Sequence, residues 1–300
     1  MNFDYGNVLT RSFQIAWKHK SFWLFSMLPM IVGIFIFAAL VAPVFFLDGS
    51  NDEMTALVFA VWVIVMILGI VVSLLVGTAG SASLLLGIRR AERGEGSTAF
   101  LDLLRDGLAY FWRTLGVILI VQLTLGLVFT IFFLFVGLLS FVTMGLATIC
   151  LQPVMILLTP LSFLVIAVMD GALMAVIDEN LGAWDAVKRA LQVVREHVWK
   201  FIILTIIVYF GSTILSSIFV APAMIPVMAV PIFMETEISG QMVILALILF
   251  SCIFFPLMTL FSGVIGTLMN SVLGLTYLRL VRPAVEEGIF ASEEPKNATS

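Results

Sequence analysis

The sequence predicts an all-α, polytopic membrane protein with six transmembrane helices in three hairpin repeats, each repeat preceded by an amphipathic interfacial helix. Three observations predict this fold class. Of the 300 residues, 62% are hydrophobic and only 11% are charged, whereas soluble domains average about 45–50% apolar and about 25% charged residues. Apolar runs of at least about 20 residues, the length that crosses a hydrocarbon core, recur along the chain. The cations fall only in every second connection between these runs.

The first apolar run, residues 22–47, carries no charge and follows an amphipathic segment, so we expect an uncleaved anchor rather than a signal peptide. An acidic turn at residues 48–53 separates it from the second run, residues 54–88. Residues 114–177 contain no Lys or Arg and are too long for one span, so we expect a turn between residues 137 and 148. The last two runs cover residues 201–234 and 241–278.

Two features of these runs leave their geometry open. The second run would be about 52 Å long as one straight helix, so it tilts, projects beyond the lipid or breaks. The fifth run contains Pro222, Pro226 and Pro231. Because proline removes a backbone donor and clashes one turn back, we expect a kinked or re-entrant segment there rather than regular helix, acting as a helix cap or as a gate.

Charge asymmetry predicts the topology. With six spans, all 15 Lys and Arg residues fall on one side of the membrane, whereas the charged residues of the opposite turns are all acidic. Cations near span ends are retained in the cytoplasm. We therefore expect a multi-pass protein whose N- and C-termini are both cytoplasmic.

Three cytoplasmic segments resemble one another and define the repeats. Residues 11–19 align without gaps to residues 189–197, with Arg, Gln and His coinciding, and the more divergent residues 100–113 share a Trp followed by a cation at their end. We expect one membrane domain over residues 1–283, built from units near 1–90, 91–180 and 181–283 and followed by a polar cytoplasmic tail, residues 284–300.

Each of these segments carries an apolar stripe at helical spacing. Such stripes predict helices that lie in the headgroup layer, with Trp side chains anchoring them at the interface; packing of the stripes on the ends of the spans is the alternative, and both can hold. The predicted stripes are Tyr5, Leu9, Phe13 and Ala16; Phe100, Leu104, Leu108 and Phe111; and Trp184, Val187, Leu191, Val194 and Val198. The predicted anchors are Trp17, Trp23, Trp112 and Trp199.

The even-numbered spans carry small residues every fourth position. Such rows let helix backbones approach closely, so we expect spans two, four and six to line the centre, with the row serving as a packing seam or as a substrate path. The seam is Gly69, Ser73, Gly77 and Ser81 in span two and Ser262, Gly266, Asn270 and Gly274 in span six, with a weaker version at Ala167, Gly171 and Ala175 in span four.

Asp170 is the one charge in residues 114–177. Ionisable groups within membrane segments are functional candidates. Ser81 and Asn270 lie at a similar distance from the basic ends of their spans, so we expect Ser81, Asp170 and Asn270 to form an intramembrane polar cluster with Gln122 nearby. The alternative is that span four ends earlier and that Asp170 is in water.

The sequence offers no catalytic constellation. His19 and His197 have no Cys or His neighbour, and no nucleophile elbow, zinc-protease or phosphate-loop motif occurs. The net charge of −4 excludes a basic nucleic-acid surface. We expect no enzyme activity, no catalytic or metal-binding residues and no cofactor.

Residues 9–25 and 178–195, the latter leading into residues 199–201, resemble the bacterial membrane domain attached to some glycerophosphodiester phosphodiesterases, and related six-span membrane proteins. The resemblance covers most of residues 1–283 and implies a module of the bacterial cytoplasmic (inner or plasma) membrane. The phosphodiesterase barrel, of about 250 residues, does not follow Pro283 here, so we expect no hydrolase activity.

Taken with the composition, this predicts a non-enzymatic membrane module that binds lipids, other amphiphiles or protein partners. The expected partners are membrane lipids, other membrane proteins or further copies of the chain. The alternative is a transporter or permease subunit that moves a small or amphiphilic substrate through the centre of the bundle; the internal repeats and Asp170 favour it.

Overall fold

The computed structural model describes residues 4–46, 52–143, 145–235 and 240–281. Within these ranges the secondary structure is helical and includes no strand, which fits the all-α prediction. In chain order the helices are α1 (Tyr5–Lys18), α2 (Ser21–Phe46), α3 (Asp52–Arg93), α4 (Phe100–Gly107), a 3₁₀ turn (Leu108–Tyr110), α5 (Phe111–Val142), α6 (Leu146–Asp178), α7 (Ala183–Glu196), α8 (Val198–Glu235) and α9 (Gly240–Val281).

Five segments among the described residues are long and apolar enough to cross a membrane, or six if the bent pair formed by α1 and α2 counts as one span. The chain bends by 83° between those two helices. The six apolar runs of the sequence lie within α2, α3, α5, α6, α8 and α9, within a few residues of the predicted limits. The chain is therefore an all-helical protein of the membrane-spanning type.

The expected turn between the third and fourth apolar runs is present. Helix α5 ends at Val142 and α6 begins at Leu146. Gly145 has a φ of +89°, a left-handed conformation that glycine adopts without steric cost. Its N–H donates to the Ser140 carbonyl over 2.7 Å, which satisfies one of the carbonyls left open at the end of α5.

The long helices α3 and α9 are continuous. Each contains 42 residues, so each is about 63 Å long at 1.5 Å per residue. This length is about twice the hydrocarbon core. Of the three alternatives left open by the sequence, a break in the second run is therefore wrong, and tilt and projection beyond the lipid stay predictions.

Of the two alternatives for the segment around the three prolines, the re-entrant one is also wrong, whereas a kink stays a prediction. Helix α8 continues from Val198 to Glu235, a range that includes Pro222, Pro226 and Pro231. Each proline removes one backbone hydrogen bond, which a long helix between other apolar elements can tolerate. The side chains of this part of α8 lie outside the described residues.

The chain divides into two compact units. The first contains residues 1–13, 112–206 and 270–300, and the second contains residues 14–111 and 207–269. In the first unit the end of α6 is buried over residues 171–178. A methyl group on Gly171 would lie 3.2 Å from the Tyr277 ring and 3.4 Å from the Ala190 methyl, so α6 packs closely on both α9 and α7.

In the second unit the equivalent core is the end of α3, buried over residues 82–88. Phe22 and Leu103 lie against Gly87, and the Phe25 and Phe100 rings stack with their centroids 4.5 Å apart. Ser26 and Thr267 share a hydrogen bond of 3.0 Å. Helices α2, α4 and α9 therefore all contribute to this core.

Candidate functional site

Helix α7 has three distinct faces. Ala186, Ala190, Val193 and Val194 are buried, and Ala190 contacts α6 through Gly171. Trp184 and Leu191, from the predicted stripe, are exposed instead, and they form an apolar edge. Exposed polar and charged side chains form the third face: Asp185, Lys188, Gln192, Arg195 and Glu196.

The predicted stripe of α7 therefore needs correction. Val194 is buried and Val187 is half-buried, but the face that packs on the protein is centred on Ala190 rather than on Leu191. The apolar pattern predicted a single stripe through Leu191 for contact with either lipid or protein, whereas the packing face runs through the smaller Ala190. Packing on α6 is therefore observed for one face, and a place of the exposed apolar edge in the headgroup layer stays a prediction.

Helix α1 has the same three faces in the same register. Its buried residues Val8, Ser12, Ile15 and Ala16 align without gaps with the four buried residues of α7. Both helices contain 14 residues, and a histidine follows each. Of the predicted stripe on α1, only Ala16 is buried; Phe13 is exposed, and Tyr5 and Leu9 are half-buried.

Helix α4 matches the other two over its first turns. Leu103 and Gly107 are its buried residues, and pairing them with Ala186 and Ala190 also aligns the first residues of the two helices. In this alignment Phe13, Leu108 and Leu191 are equivalent, and their exposed fractions are 54%, 50% and 46%. Of the stripe predicted for α4, Phe100, Leu104 and Phe111 are half-buried and Leu108 is exposed.

Gly107 shows why this face was missed. A methyl group at Gly107 would lie 2.8 Å from the Ser83 Cα, so α4 rests on the backbone of α3. The signal in the sequence is a small residue at each equivalent position, namely Ser12, Gly107 and Ala190. A small side chain marks the packing face because it allows close approach, although it contributes little to an apolar stripe.

The four predicted Trp anchors differ in environment. Trp17, Trp112 and Trp199 are exposed, as an interfacial position requires. Trp23 is half-buried, its Nε1 donates to the Ala16 carbonyl over 2.8 Å, and its ring meets Trp17 edge-on with the centroids 5.5 Å apart. The Trp23 indole therefore satisfies an open carbonyl in the last turn of α1 and braces the bend between α1 and α2.

The predicted polar cluster is divided between the two units. Ser81, half-buried, belongs to the second unit, whereas Asp170, Gln122 and Asn270 belong to the first. Asp170 is only 7% exposed, so the alternative that it lies in water is wrong. Asn270 is half-buried and Gln122 is exposed, which does not fit the expected place of Gln122 beside Asp170. A cluster of all four residues stays a prediction.

A hydrogen-bonded network at the end of α6 was not predicted. The Tyr277 hydroxyl donates to Glu179 Oε1 over 2.8 Å, and the Arg189 Nε lies 3.5 Å from Glu179 Oε2. Arg113 donates to the carbonyl of Asn180 over 3.2 Å and also to its side-chain oxygen. These contacts join α6 to α5, α7 and α9 in the first unit.

Small residues of the predicted seam approach α2 in the second unit. A methyl group on Gly69 would lie 2.9 Å from Ile36, one on Gly77 3.9 Å from Pro29, and one on Gly266 3.1 Å from Ser26. Ser73, Ser262 and Asn270 are half-buried, and Gly274 is buried.

Close approaches to the backbone of α2 lie beside that row. Gly80 would place a methyl 3.0 Å from the Phe25 carbonyl oxygen, and Gly263 would place one 2.9 Å from that of Trp23. The neighbouring row Thr259, Gly263, Thr267 and Ser271 is buried throughout. It has the same four-residue spacing and was overlooked because its threonines are larger.

A cleft of about 390 Å³ opens in the second unit, where α3 ends and the 3₁₀ turn begins. Gly94, with a φ of +65°, closes α3, and the Glu95 N–H donates to the Arg90 carbonyl over 3.0 Å. The Arg90 Nη2 lies 2.6 Å from Asp106 Oδ2, and Nη1 donates to the Ser97 carbonyl over 3.3 Å. The lining includes Leu86, Arg89, Arg90, Glu95, Asp106 and Tyr110.

Among the described residues, no group of three His, Cys, Asp or Glu side chains is placed to hold a metal ion. The chain matches no protein-family profile, no curated protein and no solved structure. The residues of α1, α4 and α7 and the cleft at the end of α3 are therefore the surfaces on which a functional interpretation depends.

Proposed function

We propose that this chain is a non-enzymatic membrane protein that binds lipids, with α1, α4 and α7 lying in the headgroup layer. The observation that carries the proposal is the exposed apolar edge of these helices, at Phe13, Leu108 and Leu191. Each edge lies between a face packed on the protein and a polar face.

Exposed aromatic and aliphatic side chains on the outer edge of a helix are typical of an interaction surface. A helix that lies in the membrane interface buries one apolar face by a few ångströms and keeps its charges in water. The third face packs on the spans, which fixes the helix at the depth where the spans leave the lipid. The edge and the polar face are then presented to the acyl chains and to water respectively.

We further propose six spans in three hairpin repeats. Support comes from the matching burial of α1, α4 and α7 and from the buried end of the span near each of them, at residues 82–88 in α3, 171–178 in α6 and 271–277 in α9. The resemblance to the membrane domain of bacterial glycerophosphodiester phosphodiesterases belongs to the same proposal.

The orientation in a bacterial cytoplasmic membrane follows from the cations. Because Lys and Arg flank α1, α4 and α7, we propose that these helices and both termini are cytoplasmic. Reporter fusions after Arg93 and after Lys188 are expected to be active on the same, cytoplasmic, side. Reporters on opposite sides would contradict the six-span topology.

The placement of α7 is tested by spin labels in lipid nanodiscs, in a background where Cys150 and Cys252 are replaced by Ser. A label at Leu191 is expected to collide with oxygen, which partitions into lipid, and a label at Arg195 with a water-soluble nickel chelate. A label at the buried Ala190 serves as the control. Strong nickel collisions at Leu191 would contradict the proposal, because the edge would then face water.

Burial of Asp170 favours a second candidate, a transporter or permease subunit. A carboxyl group within a span is costly and typical of a substrate or proton pathway. In that case Asp170→Asn abolishes flux of a small or amphiphilic substrate in proteoliposomes while the protein still folds. Flux that persists in the variant would remove the support that Asp170 gives to this candidate.

A further inference from the structure

We propose that the cleft at the end of α3 binds the headgroup of a zwitterionic phospholipid that carries a phosphate and a primary ammonium, of the phosphoethanolamine class. The inference deepens the proposed function, on which it rests, because it names the lipid that the protein selects.

The cleft has a defined backbone wall. The loop after α3 is closed by Gly94, and Gly96, with a φ of +70°, brings the chain back over Arg90. A methyl at Gly96 would lie 3.5 Å from the Arg90 Nε and Cδ. The Ser21 hydroxyl donates to the Thr98 carbonyl over 3.0 Å, which ties the loop to α2.

The Arg90 guanidinium is held in place by two hydrogen bonds. Asp106 and the Ser97 carbonyl accept from its two terminal nitrogens. A guanidinium carries five N–H donors, so these two contacts orient the group and leave further donors for a ligand oxygen. A fixed guanidinium is well suited to a phosphate, which it binds with paired hydrogen bonds.

The lining of the cleft carries charges of both signs. Arg89 and Arg90 provide two cations, and Glu95 and Asp106 provide two anions. A lining with both signs matches a headgroup with both signs, the phosphate against the arginines and the ammonium against Glu95. Asp106 already pairs with Arg90, so Glu95 is the carboxylate to which a purely anionic headgroup would bring no cation. A choline group fits less well because its quaternary nitrogen has no N–H to donate.

Exposed apolar residues beside the cleft fit a ligand that is part of a membrane. Leu101 and Leu108, on α4 and at the start of the 3₁₀ turn, are exposed apolar residues beside the elements that line the cleft. Helix α3 ends there with cations in its last turn. A headgroup in the cleft would therefore keep its acyl chains at the depth of the apolar edge.

Native mass spectrometry of the full, delipidated chain tests the inference. Phosphatidylethanolamine, phosphatidylglycerol and phosphatidylcholine with identical acyl chains are added at equal concentration. We expect about tenfold more phosphatidylethanolamine adduct than either of the others, the ratio that about 1.4 kcal/mol produces. Equal binding of the three lipids, or preference for phosphatidylglycerol or phosphatidylcholine, would overturn the inference.

Two charge-removing variants separate the two halves of the headgroup. Arg89→Gln is expected to lower all phospholipid adducts severalfold, whereas the control Arg105→Gln, an exposed cation on α4 outside the lining, leaves them unchanged. Glu95→Gln, which alters an exposed side chain and so preserves folding, is expected to bring the ratio of ethanolamine to choline lipid towards one. Its control is Glu196→Gln on α7. Variants that behave as their controls do would overturn the assignment.

Two further results distinguish a lipid from a soluble ligand and the headgroup site from the proposed function. Water-soluble glycerophosphoethanolamine is expected not to displace the lipid at equal concentration; displacement would assign the cleft to a soluble ligand. If the Leu191 label lies in lipid but the lipids bind equally, only the headgroup site is wrong. If that label faces water, the proposed function itself fails.

Discussion

Helices α3 and α6 differ in a way that reverses the usual relation between hydrophobicity and burial. The most apolar described stretch of α3 has a mean hydropathy of 3.0 and none of it is buried, whereas residues 161–178 of α6, where its side chains are described, have a mean hydropathy of 2.0 and 61% of them are buried. In a soluble protein the more apolar helix would be the more buried one.

This difference indicates that close packing, rather than hydrophobicity, selects the surface that is buried. Lipid chains are as apolar as leucine, so moving a leucine from lipid to the protein interior brings no hydrophobic gain. Helices associate instead where small and polar side chains allow close packing and hydrogen bonds. The end of α6, with Gly171, Ala172 and Ala175, offers such a surface to both α7 and α9, whereas large apolar residues of α3 such as Leu68 are exposed.

The largest effect expected from this comparison is a difference between two leucines. Leu173 in α6 is 2% exposed and Leu68 in α3 is 61% exposed. Leu173→Ala is expected to lower the free energy of unfolding by about 2–5 kcal/mol, because it opens a cavity, and Leu68→Ala by less than about 0.5 kcal/mol. Unfolding in bicelles measures both, and equal losses would show that α3 is packed against protein.

Enlarging a glycine tests the close packing of α6 directly. Gly171→Leu forces a side chain between Tyr277 and Ala190 and is expected to cost about 1–3 kcal/mol. Gly126 in α5 has no atom within 4 Å of the equivalent position, so Gly126→Leu is the matched control and is expected to leave thermal stability unchanged. The idea of a packed α6 fails if the two variants denature alike.

The network at the end of α6 accounts for part of its burial. Tyr277→Phe removes the hydrogen bond to Glu179, and we expect a loss of about 1–2 kcal/mol because the acceptor is a carboxylate. A double-mutant cycle with Glu179→Gln isolates the pair. Additive losses in the cycle would mean that the contact contributes nothing to stability.

The smallest expected effect is a pH dependence at the bend between α1 and α2. Partial burial and the neighbouring Lys18 lower the pKa of His19 from its ordinary value of 6.5. The unfolded chain then binds the proton more readily, so stability is lost as the pH falls through about 6.5. We expect the melting temperature to fall by about 1–2 °C more in the wild type than in His19→Gln between pH 7.5 and 5.5. A fall of equal size in both proteins would rule out His19 as the cause.

The elements of the fold were largely predictable, because helical spans and their turns depend on local properties. Uncharged runs of sufficient length predict α2, α3, α5, α6, α8 and α9, and Gly145 lies in the turn expected between residues 137 and 148. The amphipathic segments were also recognised as helices. The re-entrant alternative for the proline segment of α8 was wrong because a missing backbone donor perturbs a long helix without ending it.

The packing faces were predicted less well. One stripe was predicted on each helix for contact with either lipid or protein, but Ala190 occupies the packing face of α7, whereas Leu191 and, on α1, Phe13 are exposed. Apolar periodicity identifies a side of the helix that avoids water, but lipid and protein both meet that condition. The cleft at the end of α3 was not predicted at all, since Arg90, Ser97 and Asp106 come together only through the fold of the loop.

The sequence by itself determined that the chain forms long apolar helices, with amphipathic helices between them and with cations confined to every second connection, because each of these properties depends on residues close together in the chain. Only the tertiary structure decided which apolar residues meet protein and which face outwards, how deeply Asp170 is buried and which charges share a cleft. This is because the apolar surroundings of a side chain can be lipid or protein, and only close contact between distant segments of the chain distinguishes the two.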